Sequence, residues 1–189
     1  MSYSHDNTLL QRMGFRDPDR KIPDHDRACI ELATSPGRLL SLLSISCDMA
    51  RVQLEQPIQK GEGKYSSTIG FVDAFLEWKK TKPSVGCNSS WEHPNGKPWV
   101  RCDKCFDYDA GERGLLLVEV KTRIENIGDL LRQMNLYRQY TRVDRYIVWS
   151  LAPEDCRYGT LLVQQGYTLV VGPTIGSLEL AKLEGAERG

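Results

Sequence analysis

The sequence predicts a mixed α/β sheet flanked by helices, and three observations carry that expectation. Two strand-like segments come first, with a turn between them. A third strand follows a long polar insertion and ends in a charged triplet. From there on strands alternate with helices, the pattern of a sheet covered on both faces.

Residues 1–23 are polar, carry Asp17-Pro18-Asp19 and read as an irregular arm. Residues 24–46 read as helical with an interruption at Ser35-Pro36-Gly37, where Ser35 as N-cap and Pro36 in the first turn would start a second helix. Val52, Leu54 and Ile58 mark the first strand, Gly61-Glu62-Gly63 a turn, and residues 68–78 the second strand. Residues 115–122 form the third. A helix over 127–141 has a recognisable start, Asn126 as N-cap with Asp129 three residues on, and would turn Ile127, Leu130, Leu131 and Met134 inward. A strand at 145–151, a helix at 155–165 and a strand at 167–171 close the chain, with no internal repeat or low-complexity tract.

The composition, 40% hydrophobic and 26% charged over 189 residues, is that of one globular domain able to bury a sizeable core. Net charge is zero, which excludes a general polycation and requires local basic patches for any nucleic-acid contact. No apolar run approaches the roughly 20 residues of a membrane span, and the polar start lacks a signal-peptide core. A cytoplasmic protein is expected. There the six cysteines stay reduced or bind metal. Cys29, Cys47 and Cys156 read as buried small hydrophobes.

Two apolar runs carry carboxylates, Ile69-Gly70-Phe71-Val72-Asp73-Ala74-Phe75-Leu76 and Leu115-Leu116-Leu117-Val118-Glu119-Val120-Lys121. A charge on a buried strand costs desolvation energy unless it is paired or holds a cation, so both positions ask for a functional reason. Acid-x-Lys alone is weak. It also occurs at Asp19-Arg20-Lys21, Glu62-Gly63-Lys64 and Glu77-Trp78-Lys79, but only Glu119-Val120-Lys121 follows four apolar residues and precedes a capped helix. Side chains alternate along a strand, so Glu119 and Lys121 leave the same face about 6 to 7 Å apart and can share a phosphate. Asp73 with Glu77 on one strand would place two carboxylates about 13 Å apart, too far for one cation. On neighbouring strands about 4.8 Å apart, Asp73 and Glu119 can both reach one.

Val72-Asp73, Glu119-Val120-Lys121 and Gln133-Met134-Asn135-Leu136-Tyr137, in this order, resemble the PD-(D/E)xK nuclease superfamily, in particular its RecB-like branch with a trailing Gln-x-x-x-Tyr. The likeness covers residues 50–150, with Val72 in place of the family's proline. It implies a restriction-endonuclease-like core and a Mg²⁺- or Mn²⁺-dependent nuclease acting on DNA, with RNA, and exonuclease against endonuclease action, left open. In that reading Asp73, Glu119 and the Val120 carbonyl hold the catalytic metal, and Lys121 orients the attacking water. Gln133 steadies the lysine and Tyr137 the site or the strand. The branch often adds an acidic residue on an N-terminal helix, for which Glu31 is the candidate. The alternative is a non-catalytic nucleic-acid-binding or assembly subunit of a helicase or recombination complex. A helicase or a second copy of the chain would then be the partner.

The insertion at 79–113 holds Cys87, His93, Cys102 and Cys105, a set that suits tetrahedral zinc. An iron-sulfur cluster is the second option and four unliganded residues the third. Between Lys79 and Cys105, the basic residues Lys79, Lys80, Lys82, Lys97, Arg101 and Lys104 outnumber Glu92 and Asp103, with Trp91 and Trp99 interleaved. A basic knuckle with aromatics can grip phosphates and stack on a base, and equally the tryptophans can be the knuckle's own packing. Tyr137 suits core packing as well as a site role. Asp24-His25-Asp26 reads as helix capping before metal binding. Arg132, Arg138, Arg142 and Arg145 line a nucleic-acid path or a solvated helix face.

Overall fold

The structure is a computed structural model that describes residues 23–61, 66–80 and 112–181. Its centre is a six-stranded sheet whose strands run in sequence order, β1 Met49–Lys60, β2 Ser67–Lys80, β3 Glu112–Lys121, β4 Arg145–Ser150, β5 Thr168–Val171 and β6 Glu179–Leu180. The first three form an antiparallel meander. Helix α3, Ile127–Tyr140, then crosses over so that β4 lies parallel to β3, and β5 parallel to β4. The short β6 pairs antiparallel with β5 at the far edge.

Alternation sorts the central strands between two cores. On one face Leu116, Val118 and Val120 of β3 join Ile147 and Trp149 of β4 under the N-terminal helices α1, Asp24–Thr34, and α2, Gly37–Leu42. On the other, Leu117, Val148 and Leu169 meet Leu130, Met134 and Tyr137 of α3 and Leu162 of α4, Gly159–Gln164. Burial of each such side chain contributes about 1.5–3 kcal/mol, so each helix is held by its apolar stripe. Asn126 caps α3 as expected, its side-chain oxygen accepting from Gly128 N and Asp129 N. Ile127 and Leu131 lie partly buried on the same face.

Four local expectations are corrected. The N-cap of α2 is Pro36, in the helical region, with no side-chain cap; Ser35 ends α1, its N–H bonded to Glu31 O. Proline's fixed φ holds the corner without help from the serine hydroxyl. The single helix expected over 155–165 is a 3₁₀ turn, Pro153–Tyr158, running into α4. Cys29 is buried, but Cys47 is half-buried and Cys156 exposed, against the expectation for both.

Asp155 in that 3₁₀ turn is fully buried. Its Oδ2 accepts from Ser150 Oγ at 2.6 Å and from Ile124 N at 2.7 Å, tying the end of β4 to the segment leading out of β3. Asp155→Ala leaves two buried donors without an acceptor and is expected to cost about 2–4 kcal/mol in urea unfolding, whereas Ser150→Ala costs about 1 kcal/mol. Equal losses from the two variants would contradict this account of the clamp.

Candidate active site

Pairing between β2 and β3 stops at Ala74 and Val118. One step further the same register would set Asp73 opposite Glu119, but the strands part there and a side chain completes the ladder. Asp73 Oδ2 accepts the Val120 N–H at 2.7 Å. On the other side of β2, Glu55 of β1 drops out of an otherwise continuous register between Leu54–Ala74 and Gln56–Val72, with φ at +51°. A non-glycine residue in that region stores on the order of 1–3 kcal/mol. Asp73 thus occupies a gap in the ladder on both its flanks. In a strand the N–H and C=O of one residue point the same way, so the Val120 carbonyl faces the opening beside Asp73.

Glu119 stands on the α3 side of this opening and is 2% exposed. Its Oε1 accepts from Lys121 Nζ at 2.7 Å and from Gln133 Nε2 at 2.6 Å, while Oε2 is buried with no hydrogen-bond partner among the described residues. Burial, and then the negative charge of Asp73, push its carboxyl up to about 7, against the pull of Lys121 and Gln133. Gln133 therefore steadies the glutamate and not the lysine, because both donors converge on one oxygen. Its Nε2 also donates to Tyr137 OH at 2.6 Å, and that hydroxyl donates to Phe71 O at 2.6 Å. Burial and the Glu119 charge raise the phenol above its ordinary value, so it stays a donor. Tyr137 is also 3% exposed, so its site and core readings hold together.

The N-terminal helix contributes a residue other than the one expected. Glu31 Oε2 accepts from Ile175 N at 2.8 Å and serves the 3₁₀ turn Ile175–Ser177. Six residues along a helix is about 240° of rotation, which turns Glu31 away from the residue that reaches the site, His25. His25 Nε2 lies 3.2 Å from Asp73 Oδ1 and Nδ1 lies 3.1 Å from Asp26 Oδ1. The hydrogen bond to Asp73 is the largest reason its imidazole is raised to about 9. Helix capping does not account for it, since α1 has no side-chain cap and Asp24 pairs with Arg27. The signal was in the sequence, because His25 shares the stripe of Ala28, Cys29 and Leu32, the buried face of α1.

The basic candidates fare unevenly. Lys79 is 3% exposed, so its ammonium is not on the surface a phosphate would touch; Lys80 is exposed. Lys82, Trp91, Lys97, Trp99, Arg101 and Lys104, and the four ligands Cys87, His93, Cys102 and Cys105, lie outside the described residues. Arg138 lies over the Tyr167 ring at 4.2 Å and bonds Gln165 O, and Arg145 donates to Leu43 O at 3.0 Å, so both serve packing. Arg132 pairs with Asp129 on the surface.

Among the described residues no group of three or more His, Cys, Asp or Glu side chains stands at metal-ligand spacing. The donor chemistry nevertheless fits a hard cation. A buried carboxylate oxygen without a partner, a second carboxylate beside it and a backbone carbonyl at the same opening are oxygen donors of the kind Mg²⁺ and Mn²⁺ take.

These charges make the metal-free fold sensitive to pH. Glu119 has a folded value near 7 against an ordinary 4.5, so its ionisation is harder in the folded state and stability declines as pH rises from about 4.5 to 7. His25 has a folded value near 9 against 6.5, so its stabilisation is complete below 6.5 and lost as pH rises through 9. Thermal unfolding in EDTA is therefore expected to show a melting temperature falling between about pH 5 and 9. Glu119→Gln should flatten the lower part and His25→Ala the upper part. A profile that rises over this window, or that neither variant alters, contradicts the assignment.

Comparison of the chain with protein-family models, curated proteins and solved structures finds no match in any of the three.

Proposed function

We propose that this chain is a divalent-metal-dependent nuclease with a restriction-endonuclease-like core, hydrolysing phosphodiester bonds of DNA. The observation that carries the proposal is the buried, unpartnered Oε2 of Glu119 beside Asp73, at the point where two strands part and Lys121 stands two residues on. A buried carboxylate oxygen without a partner costs about 1–3 kcal/mol or more, and a cation at this position offsets that cost; Asp155 Oδ1 is buried and unpartnered as well, but Glu119 has the Asp73 carboxylate beside it and Lys121 at its other oxygen. The mixed sheet supports the reading by making the two acidic strands neighbours.

Asp73, Glu119 and the Val120 carbonyl would hold Mg²⁺ or Mn²⁺, which when bound supplies Lewis-acid polarisation of the scissile phosphate and a more acidic water. The chain's own groups do the rest. Asp73 Oδ2 stays on Val120 N and keeps the donor edge in place, and Gln133 holds Glu119 Oε1 at a fixed angle. Lys121, 29% exposed, swings from Glu119 to the phosphate and neutralises the charge that develops there. His25, protonated at neutral pH, balances the second carboxylate until the site is filled.

One observation favours the alternative of a non-catalytic binding subunit. Each carboxylate already faces a cation, His25 at Asp73 and Lys121 at Glu119, so the site is internally neutralised as it stands. The two readings part in one experiment. Asp73→Asn, Glu119→Gln and Lys121→Ala are each expected to lower Mg²⁺-dependent cleavage of DNA by about 10² or more. Glu119→Gln should keep or raise the metal-free melting temperature, because it removes a buried charge. Mg²⁺ or Mn²⁺ should raise the melting temperature of the wild type more at pH 8 than at pH 6, and that of Glu119→Gln hardly at all. Ca²⁺ should support binding with little cleavage. Cleavage that persists in excess EDTA, or wild-type turnover in any of the three variants, rejects the proposal; metal binding without cleavage selects the alternative.

A further inference from the structure

Trp78 Nε1 is buried and has no hydrogen-bond partner among the described residues, although an indole N–H can only donate and such orphans are rare. The Trp78 ring packs against the core under the N-terminal helices, and the residue lines a cavity of about 320 Å³ where β2, β3 and the connection from α3 to β4 meet. Leu115 in the wall lies four residues before Glu119 on β3, about 13 Å along the strand, so the cavity is separate from the candidate active site. Gly114 keeps the space open. A Cβ there would come within 2.5 Å of Trp78 Nε1 and 2.7 Å of Asp144 Oδ2.

Two arginines stand in the same wall, Arg113 at the start of β3 and Arg142 just before β4. Both are exposed, and neither makes a hydrogen bond or ion pair among the described residues. The two carboxylates of the wall are already engaged, Glu77 by Arg51 Nη2 at 2.6 Å and Asp144 Oδ2 by the Leu115 N–H at 2.6 Å. Lys79 is buried and engaged as well. What the cavity offers a ligand is one desolvated N–H donor and two guanidinium groups.

We infer that this cavity is an anion site that takes a phosphate group, carried by a free nucleotide or by a DNA strand. An apolar ligand would leave the indole N–H unsatisfied, and a cation would meet two arginines. A phosphate presents oxygens in several directions, so one group can accept from the indole and from both guanidinium forks, whose charge-assisted bonds are about twice as strong as neutral ones. A volume of about 320 Å³ is at the small end of ligand pockets and has room for a phosphate with its sugar. The inference goes beyond the nuclease reading and does not depend on it.

The test follows the Trp78 indole N–H signal, assigned through bonds to its own backbone, by ¹H–¹⁵N NMR of the full chain in EDTA. Inorganic phosphate, deoxyadenosine monophosphate and a short single-stranded DNA are titrated in turn, with sodium acetate at matched ionic strength as the control. At least one phosphate probe is expected to move the signal downfield and to saturate, while acetate leaves it in place. Arg113→Gln and Arg142→Gln, which alter exposed and unpaired side chains, should each weaken that response by about ten-fold or more. A response to inorganic phosphate or the nucleotide alone assigns the site to free phosphates, and a response to DNA that both variants weaken assigns it to the strand; either sustains the inference. A signal that no phosphate probe moves, that acetate moves equally, or that responds with wild-type affinity in both arginine variants overturns it. No arm reads cleavage, so an inactive enzyme leaves this inference standing and an unresponsive Trp78 leaves the nuclease reading standing.

Discussion

One hydrogen bond, from the Val120 N–H to Asp73 Oδ2, organises the site. Backbone pairing between β2 and β3 ends at Ala74 and Val118, and a carboxylate takes the place of the next carbonyl. A side chain in that role does two things that a backbone group cannot. It satisfies the donor that the parting strands would otherwise orphan, and it leaves a charged second oxygen free to face other groups. Asp73 Oδ1 uses that freedom on His25, and Glu55, across the ladder on β1, leaves its register at the same level with a left-handed backbone. The opening of the sheet and the placing of the charge are one event.

The electrostatics follow from where that opening lies. Glu119 is surrounded by the core packed under α3, so its ionised form has little water to stabilise it. Lys121 and Gln133 compensate one of its oxygens, and among the described residues nothing compensates the other. Uncompensated buried oxygens are rare in native folds, and the other carboxylate oxygen in this condition among the described residues is Asp155 Oδ1. The surrounding chain is tied together by hydrogen bonds. Gln133, Tyr137 and the Phe71 carbonyl bind α3 to β2 directly across the site, and Asp155 anchors the segment between Lys121 and α3 from below.

The two helical layers have different tasks. Helix α3 supports the glutamate through Gln133 and Tyr137, one turn apart, while α1 brings His25 to the aspartate from the opposite face. Each helix is positioned by ordinary apolar packing, Met134 and Leu130 in one case and Ala28, Cys29 and Leu32 in the other. Polar groups ride on those frames at helical spacing from the apolar stripes. The site is therefore assembled by core packing and adjusted by a small set of hydrogen bonds.

By itself the sequence determined what depends on local periodicity. The strand at Leu115–Lys121, the capped helix after Asn126, the sharing of one face by Glu119 and Lys121, and the turn-spaced pair Gln133 and Tyr137 all follow from alternation and the 3.6-residue repeat, and the structure has each of them. Strand neighbours depend on distant pairings, so only the tertiary structure decided that the strands carrying Asp73 and Glu119 stand side by side. Only it decided, too, which helical residue faces the site. His25 and Glu31 are both polar residues on one short helix, and the choice between them turns on how α1 rotates against the sheet. The burial of Lys79 and the convergence of Gln133 and Lys121 on one oxygen of Glu119 are likewise consequences of packing in three dimensions. A single sequence records which side chains are available; the free energy of bringing distant segments together selects which of them meet.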